Sequence, residues 1–308
     1  MTRISSEQVV QQAIRTITDR QDRMGEIQQR IASGQRILKP SDDPVGAAHA
    51  EQTRADIVRT QIEERMVNFA RLKLAQTENA IGDGVDLFQS AREVLLTANN
   101  DTYSDGDRLM FAQQLRGMYG ELLSVANRDD GLGAYVFGGA GSRTPPFAET
   151  AAGVEFQADA GVQVTGGQYR YITSVDGAAL FQTATASGVA DNGSVFAALE
   201  QAIALLEDPA ADPAVLHTGM QTTIDTLDRS LDHFNATRAL LGEQMAAAER
   251  AIDSLANNEI GARERLSDLA DTDLAEAISE LNRHQSEVQA AMQTYTQISG
   301  LSLFNYIR

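Results

Sequence analysis

Apolar side chains at the two ends of the chain recur with one shared period. Val10, Ile14, Ile17, Gln21, Met24, Gln28 and Ile31 step by four and three residues in alternation. Near the other end Leu274, Ile278, Leu281, Gln285, Val288, Met292 and Tyr295 do the same. A seam that repeats every 3.5 residues over three heptads predicts a helix that supercoils against another helix. The glutamines weaken each seam on its own and help to fix its register. A single segment of this kind reads first as an ordinary amphipathic helix on a globular core. Two matched seams at opposite ends tilt the reading towards pairing of the termini, Val10–Ile31 against Leu274–Tyr295.

Helical patterning continues inward. Arg54 to Ala98 has few breakers besides Gly82 and Gly84, and Ile62, Met66 and Phe69 hold the seam spacing. Leu241, Met245, Ala248, Ile252, Leu255, Ala262 and Leu266 form a seam on the return side, and residues 107–127 and 194–207 read as further helices. The middle differs. Residues 131–193 hold 12 of the 24 glycines, which argues against helix there. Val154, Phe156 and Ala158 alternate with polar neighbours, as do Val162 and Val164. Gly166-Gly167 then precedes Tyr169 and Tyr171, a hairpin signal. The expected fold is mainly α: a long antiparallel helical bundle or coiled coil formed by the N- and C-terminal halves, with a small inserted antiparallel β domain. The segments are 1–40 (terminal helix), 41–140 (first half of a helical rod), 141–193 (β domain), 194–267 (second half of the rod) and 268–308 (terminal helix). The β domain is expected at the distal tip, and its removal is expected to leave the helical fold intact.

Charge and composition narrow the function. The 308 residues carry a net charge of −18, which argues against nucleic acid, whose phosphates demand Lys and Arg. With no cysteine, disulfides and thiolate metal sites are excluded. The four histidines are scattered, and Asp101–Gly106 resembles a calcium loop only until Tyr103 and Ala112 occupy positions that must supply oxygen. Gly138–Thr144 lacks the lysine of a phosphate loop. No enzyme chemistry, cofactor site or metal site is expected. The longest charge-free run, Val288–Ile307, is long enough to span a bilayer but too rich in Gln, Thr, Ser and Asn to be stable there. Burial against protein suits it better. The start shows no secretory signal, since Glu7 falls where an apolar stretch belongs.

One loop stands out: Ser33-Gly34-Gln-Arg36-Ile-Leu-Lys-Pro40-Ser41-Asp42-Asp43-Pro44. Locally it is a helix–turn–helix joint, with Gly34 ending one helix and Ser41 to Pro44 starting the next. It also resembles the N-terminal signature of the bacterial flagellin superfamily, a Ser-Gly-x-Arg-Ile run followed by Asp-Asp. Arg263–Asp268 and Asp271–Ile278 resemble the C-terminal helix of that family. Four features are similar to a hook–filament junction member more than to a filament subunit. They are Pro40–Pro44, Ala134–Gly139 with Pro145–Phe147, Ser302–Tyr306, and the short central insertion.

The resemblance implies a non-enzymatic, extracellular flagellar part, exported through the flagellar channel without a cleaved signal. It implies a ring of copies of the chain between the hook-side junction protein and flagellin, an export chaperone in the cytoplasm, and no membrane insertion. The alternatives are a filament flagellin or, from another class, a glycan-binding surface protein using Phe156, Tyr169 and Tyr171. The seam residues, with Leu301, Leu303 and Phe304 of the tail, are the expected self-assembly positions. The tail from Ile298 to Arg308 is expected to gain cover from neighbouring subunits, and truncation after Gln297 to block assembly.

Overall fold

The computed structural model describes residues 6–100, 103–141, 143–151, 153–165, 169–182 and 194–304. Among these it is mainly helical. The order is α1 (Ser6–Ser33), α2 (Pro44–Ala98), α3 (Asp105–Ala126), β1 (Phe147–Thr150), β2 (Gly153–Phe156), β3 (Gln163–Thr165), β4 (Tyr171–Ser174), α4 (Gly177–Phe181), α5 (Val195–Glu207), α6 (Pro213–Ala270) and α7 (Leu274–Phe304). The chain forms two compact units. One gathers residues up to Thr60 and from Asn257 onward, and the other is Gln61–Ala256.

The second unit holds the large core. Along α2 one row of covered positions is 67, 70, 74, 77, 81, 84, 88, 91, 95 and 98, steps of three and four without a miss, with 73, 80, 85 and 94 covered beside it. On α6 the matching row is 216, 220, 223, 227, 230, 234, 241, 248, 251 and 255, with 219, 224, 226 and 262 also covered. Both are heptad seams, and the two helices run antiparallel with Glu78 bonded to Arg238 (2.6 Å) and Arg92 to Asp228 (2.7 Å). On α2 the buried seam lies one position away from the predicted one. Ile62 and Phe69 are exposed while Val67, Ala70 and Leu74 are buried. Ala70, Thr77, Gly84, Ala91 and Ala98 alternate along this seam with Leu74, Ile81, Phe88 and Leu95, and the small residues allow close approach between the large ones. Gly84 sits where the Phe234 ring crosses; a Cβ there would lie 2.5 Å from the ring. Buried hydroxyls are satisfied along their own helices, as Thr77 donates to the Lys73 carbonyl (2.9 Å) and Ser230 to that of Thr226 (3.0 Å).

The strands form two antiparallel pairs, β1 with β2 and β3 with β4, the second with a register shift at Gln163/Val164. The predicted Gly166-Gly167 turn lies outside the described residues. These pairs are not a detachable insert. Phe88 packs on Phe234 (4.8 Å), Phe234 on Phe181 (5.1 Å), Phe181 on Phe147 (5.2 Å), Phe147 on Phe196 (5.6 Å) and Phe196 on Tyr119 (5.8 Å between centroids). One aromatic chain thus joins α2, α6, α4, β1, α5 and α3. Polar bonds follow it: Asn127 donates to and accepts from the Phe147 backbone (both 2.9 Å), and the Ile172 amide donates to Gln244 Oε1 of α6 (2.9 Å). Two-stranded sheets are marginal alone, and these draw their stability from the helices on which they lie. The expectation that residues 141–193 can be removed without cost is therefore corrected: Phe147, Val154, Tyr171, Val175, Leu180 and Phe181 belong to the common core.

Candidate assembly site

In the first unit, the two breaks in the helical path meet. Gly34 ends α1 with φ +70°, a conformation that favours glycine, and its amide still donates to the Arg30 carbonyl (2.9 Å). The Ser33 hydroxyl accepts from the Gln35 amide (3.1 Å). Beyond the turn the chain lies beside the break between α6 and α7. The Arg36 amide donates to the Ala270 carbonyl (2.7 Å), and the Thr272 amide returns a bond to the Gly34 carbonyl (2.9 Å). The Arg36 guanidinium reaches the Leu269 carbonyl at 2.6 Å and lies 3.6 Å from Asp43. One arginine thus ties the last turn of α6 to the start of α2, a charge-assisted anchor at a helix C-terminus.

The acidic pair closes the loop. Asp42 Oδ2 accepts from the Leu38 (3.2 Å) and Lys39 (2.9 Å) amides. Asp43 caps α2, with Oδ1 accepting from the Gly46 amide (2.9 Å) and Pro44 at the first helical position. A Cβ on Gly46 would collide with the Asp43 carboxylate. Ser41 is exposed. Across the joint Asp273 caps α7, accepting from the Ala275 (2.9 Å) and Glu276 (3.1 Å) amides, and Ser267 bonds Asp271 (2.7 Å). The motif Ser33, Gly34, Arg36, Asp42, Asp43 and Pro44 is thus brought into one joint. Its partners on α6 are backbone carbonyls, which no residue type in the sequence announces.

From this joint α1 and α7 pack along each other, and Arg20 meets Glu287 at 3.3 Å. The covered stripe on α1 is Ala13, Ile17, Arg20, Met24, Ile27 and Ile31; on α7 it is Ala277, Leu281, His284, Val288, Ala291 and Tyr295. Ile17, Met24, Ile31, Leu281, Val288 and Tyr295 are shared with the predicted seams. At the intervening steps the contact moves by one residue, and the reason is visible in the side chains. Ile27 goes in rather than Gln28, Ala277 and Ala291 let the helices approach, and Arg20 and His284, both against Glu287, take the steps beside the exposed Gln21 and Gln285. The shift leaves large apolar residues outside: Ile14 (48% exposed), Leu274 (50%), Ile278 (49%) and Met292 (44%). The apolar face of α7 is thus wider than its contact with α1. The side chains of Val10, Leu301, Leu303 and Phe304, and the tail beyond, lie outside the described residues.

No group of three or more His, Cys, Asp or Glu placed to hold a metal ion occurs among the described residues, and no described helix is long and apolar enough to cross a membrane. What the site offers is backbone-anchored geometry beside an exposed apolar edge.

Comparison with known proteins gives the same direction. Residues 4–142 match the bacterial flagellin N-terminal helical region and residues 224–307 the bacterial flagellin C-terminal helical region. Flagellar hook-associated protein 3 of Escherichia coli is 31% identical over 98% of each chain. A flagellin of Listeria monocytogenes is 22% identical over 89% of this chain and 88% of its own. Among solved structures, flagellar hook-associated protein 3 of Legionella pneumophila superposes with a TM-score of 0.63 at 16% identity, over 71% of this chain and 98% of that one, a likeness of fold.

Proposed function

The chain belongs to the bacterial flagellin family, and from that membership we propose that it is the adaptor joining hook to filament. Membership makes it a structural component of the bacterial flagellum. The observation that carries the finer reading is the full-length likeness to a hook-associated protein 3, at 31% identity and with 98% of both chains aligned, against 22–26% for flagellins.

In this reading segments 1–40 and 268–308 line the inner wall of a tube. Copies of the chain close a ring there, with the hook-side junction protein on one side and flagellin on the other. The exposed edge Ile14, Leu274, Ile278 and Met292 supports it, because large apolar side chains at helical spacing mark surfaces that a partner covers. The chain leaves the cell unfolded through the flagellar export channel, held by a chaperone before export, and works outside the cell. A filament flagellin is the second reading, favoured by the match to both flagellin helical regions. Long filaments formed by the purified chain would establish it.

Ile278→Asp tests the adaptor reading at the site. The position is half exposed, so the folded chain should keep a cooperative thermal transition and lose no more than about 1–2 kcal/mol. Its cells should grow hooks without filaments. Filaments of normal number on those cells would count against the reading.

A further inference from the structure

The break between α6 and α7 contains no residue that forces it. From Ala262 to Ser299 the sequence holds no glycine and no proline, and among the described residues only glycines have a positive φ. Asp271, Thr272 and Asp273 are weak helix formers but not breakers. Ala270, Ala277, His284 and Ala291 stand seven apart across the break, so an uninterrupted helix would keep them close to one face. A helix interrupted without glycine or proline is one whose ladder of hydrogen bonds has been entered by another group.

That group is the turn after α1. In an α-helix each amide donates to the carbonyl four residues before it, so the amides of Thr272, Asp273 and Leu274 would go to Asp268, Leu269 and Ala270. Here the Thr272 amide goes to the Gly34 carbonyl (2.9 Å). The Leu269 carbonyl is taken by the Arg36 guanidinium (2.6 Å) and the Ala270 carbonyl by the Arg36 amide (2.7 Å). Residues 34–36 therefore occupy one partner of each of these three helical bonds. The next two amides, Ala275 and Glu276, go to the Asp273 carboxylate (2.9 and 3.1 Å) in place of the Asp271 and Thr272 carbonyls. The helical pattern resumes with Ala277 donating to the Asp273 carbonyl (2.9 Å). One polar atom is left over: the Thr272 hydroxyl is buried without a hydrogen-bond partner. In a continuous helix the Asp268 carbonyl would receive it, as the hydroxyls of Thr222, Thr226 and Ser230 bond four residues back along α6.

We propose that residues 34–36 are a strap that imposes this break, and that α6 and α7 join into one helix when the strap leaves. The Thr272, Asp273 and Leu274 amides then take the Asp268, Leu269 and Ala270 carbonyls, and Asp273 gives up its cap. The two forms exchange hydrogen bonds instead of losing them, which is what a two-state element requires. Gly34 also ends α1, so the seating of the end of α1 and the break between α6 and α7 are one event. The strap does not depend on the junction reading.

The full-length chain labelled with carbon-13 on threonine tests this in solution. The Cα and Cβ shifts of Thr272, assigned by their loss in Thr272→Ser, should be non-helical in the unaltered chain. Arg36→Pro removes both Arg36 bonds and Asp273→Ala removes the cap, and in this double variant the Thr272 shifts should become helical. The buried Thr77, Thr223 and Thr226 lie in α2 and α6, and their unchanged helical shifts show that the chain is folded. Adding Leu274→Pro should return Thr272 to non-helical values, because proline suits the first position of a separate helix and lacks the amide that a joined helix needs. Should Arg36→Pro prevent folding, Arg36→Ala with Asp273→Ala should move the Thr272 shifts in the same direction. Thr272 shifts that stay non-helical in the folded double variant overturn the strap.

Discussion

Two glycines only two positions apart in α2 are expected to respond oppositely to the same change. Gly82 has room for a Cβ, which would meet only an Arg238 guanidinium nitrogen at 3.9 Å, so Gly82→Ala should gain up to about 1 kcal/mol from helix propensity. Gly84 faces the Phe234 ring, and Gly84→Ala should lose about 1–3 kcal/mol by overpacking. Thermal or urea denaturation of the two variants reads the signs. Asp130 sets an acid limit. Burial pushes its carboxyl up, but the bonds from Lys73, Ala134 and Leu132 and the ammonium charge outweigh this and hold it below the ordinary value of 3.8. A carboxyl depressed in the folded state contributes stability that is present above its unfolded value and is lost as pH falls through the folded one. Native stability should therefore fall below about pH 4, and Asp130→Asn should flatten that part of the curve. An unchanged slope in the variant would remove Asp130 from the explanation. None of this pairing was legible in the sequence, where Lys73 and Asp130 stand 57 positions apart, whereas the Gly34 turn and the Asp43–Pro44 helix start were, because capping is a local property.

Among the elements, the helices were readable because their period is long and repeated, and the strands because Val154 and Phe156 alternate beside glycine. What escaped was packing. The predicted terminal seams share six covered residues with the observed stripes and differ by one residue at the steps between. A 3.5-residue template cannot weigh the cost of burying Gln28 against the gain of burying Ile27. The central strands were misjudged for a related reason: composition marks residues 141–193 as different but does not show that Phe147 and Phe181 enter the core of α2, α5 and α6. Removing two large aromatic side chains from a packed core costs about 3–5 kcal/mol each. A deletion of residues 141–193 closed by a short linker should therefore lower the midpoint of thermal unfolding sharply or abolish cooperativity. A transition like that of the intact chain would restore the detachable insert.

At the scale of the whole molecule, the chain divides its apolar surface between two purposes. The unit Gln61–Ala256 buries a continuous aromatic and aliphatic core. The unit built from the two ends keeps a narrow contact between α1 and α7 and leaves Ile14, Leu274, Ile278 and Met292 half in water. At about 25 cal/mol per Å² of apolar area, each such side chain gains part of roughly 1.5–3 kcal/mol when a neighbour covers it. That edge is the surface through which the proposed junction role would be carried out. Deleting the gene tests the junction role most directly. Cells without it should retain hooks, lack filaments and release flagellin into the medium, and the restored gene should return filaments to the hooks. Full-length filaments on the hooks of the deletion strain would contradict the role.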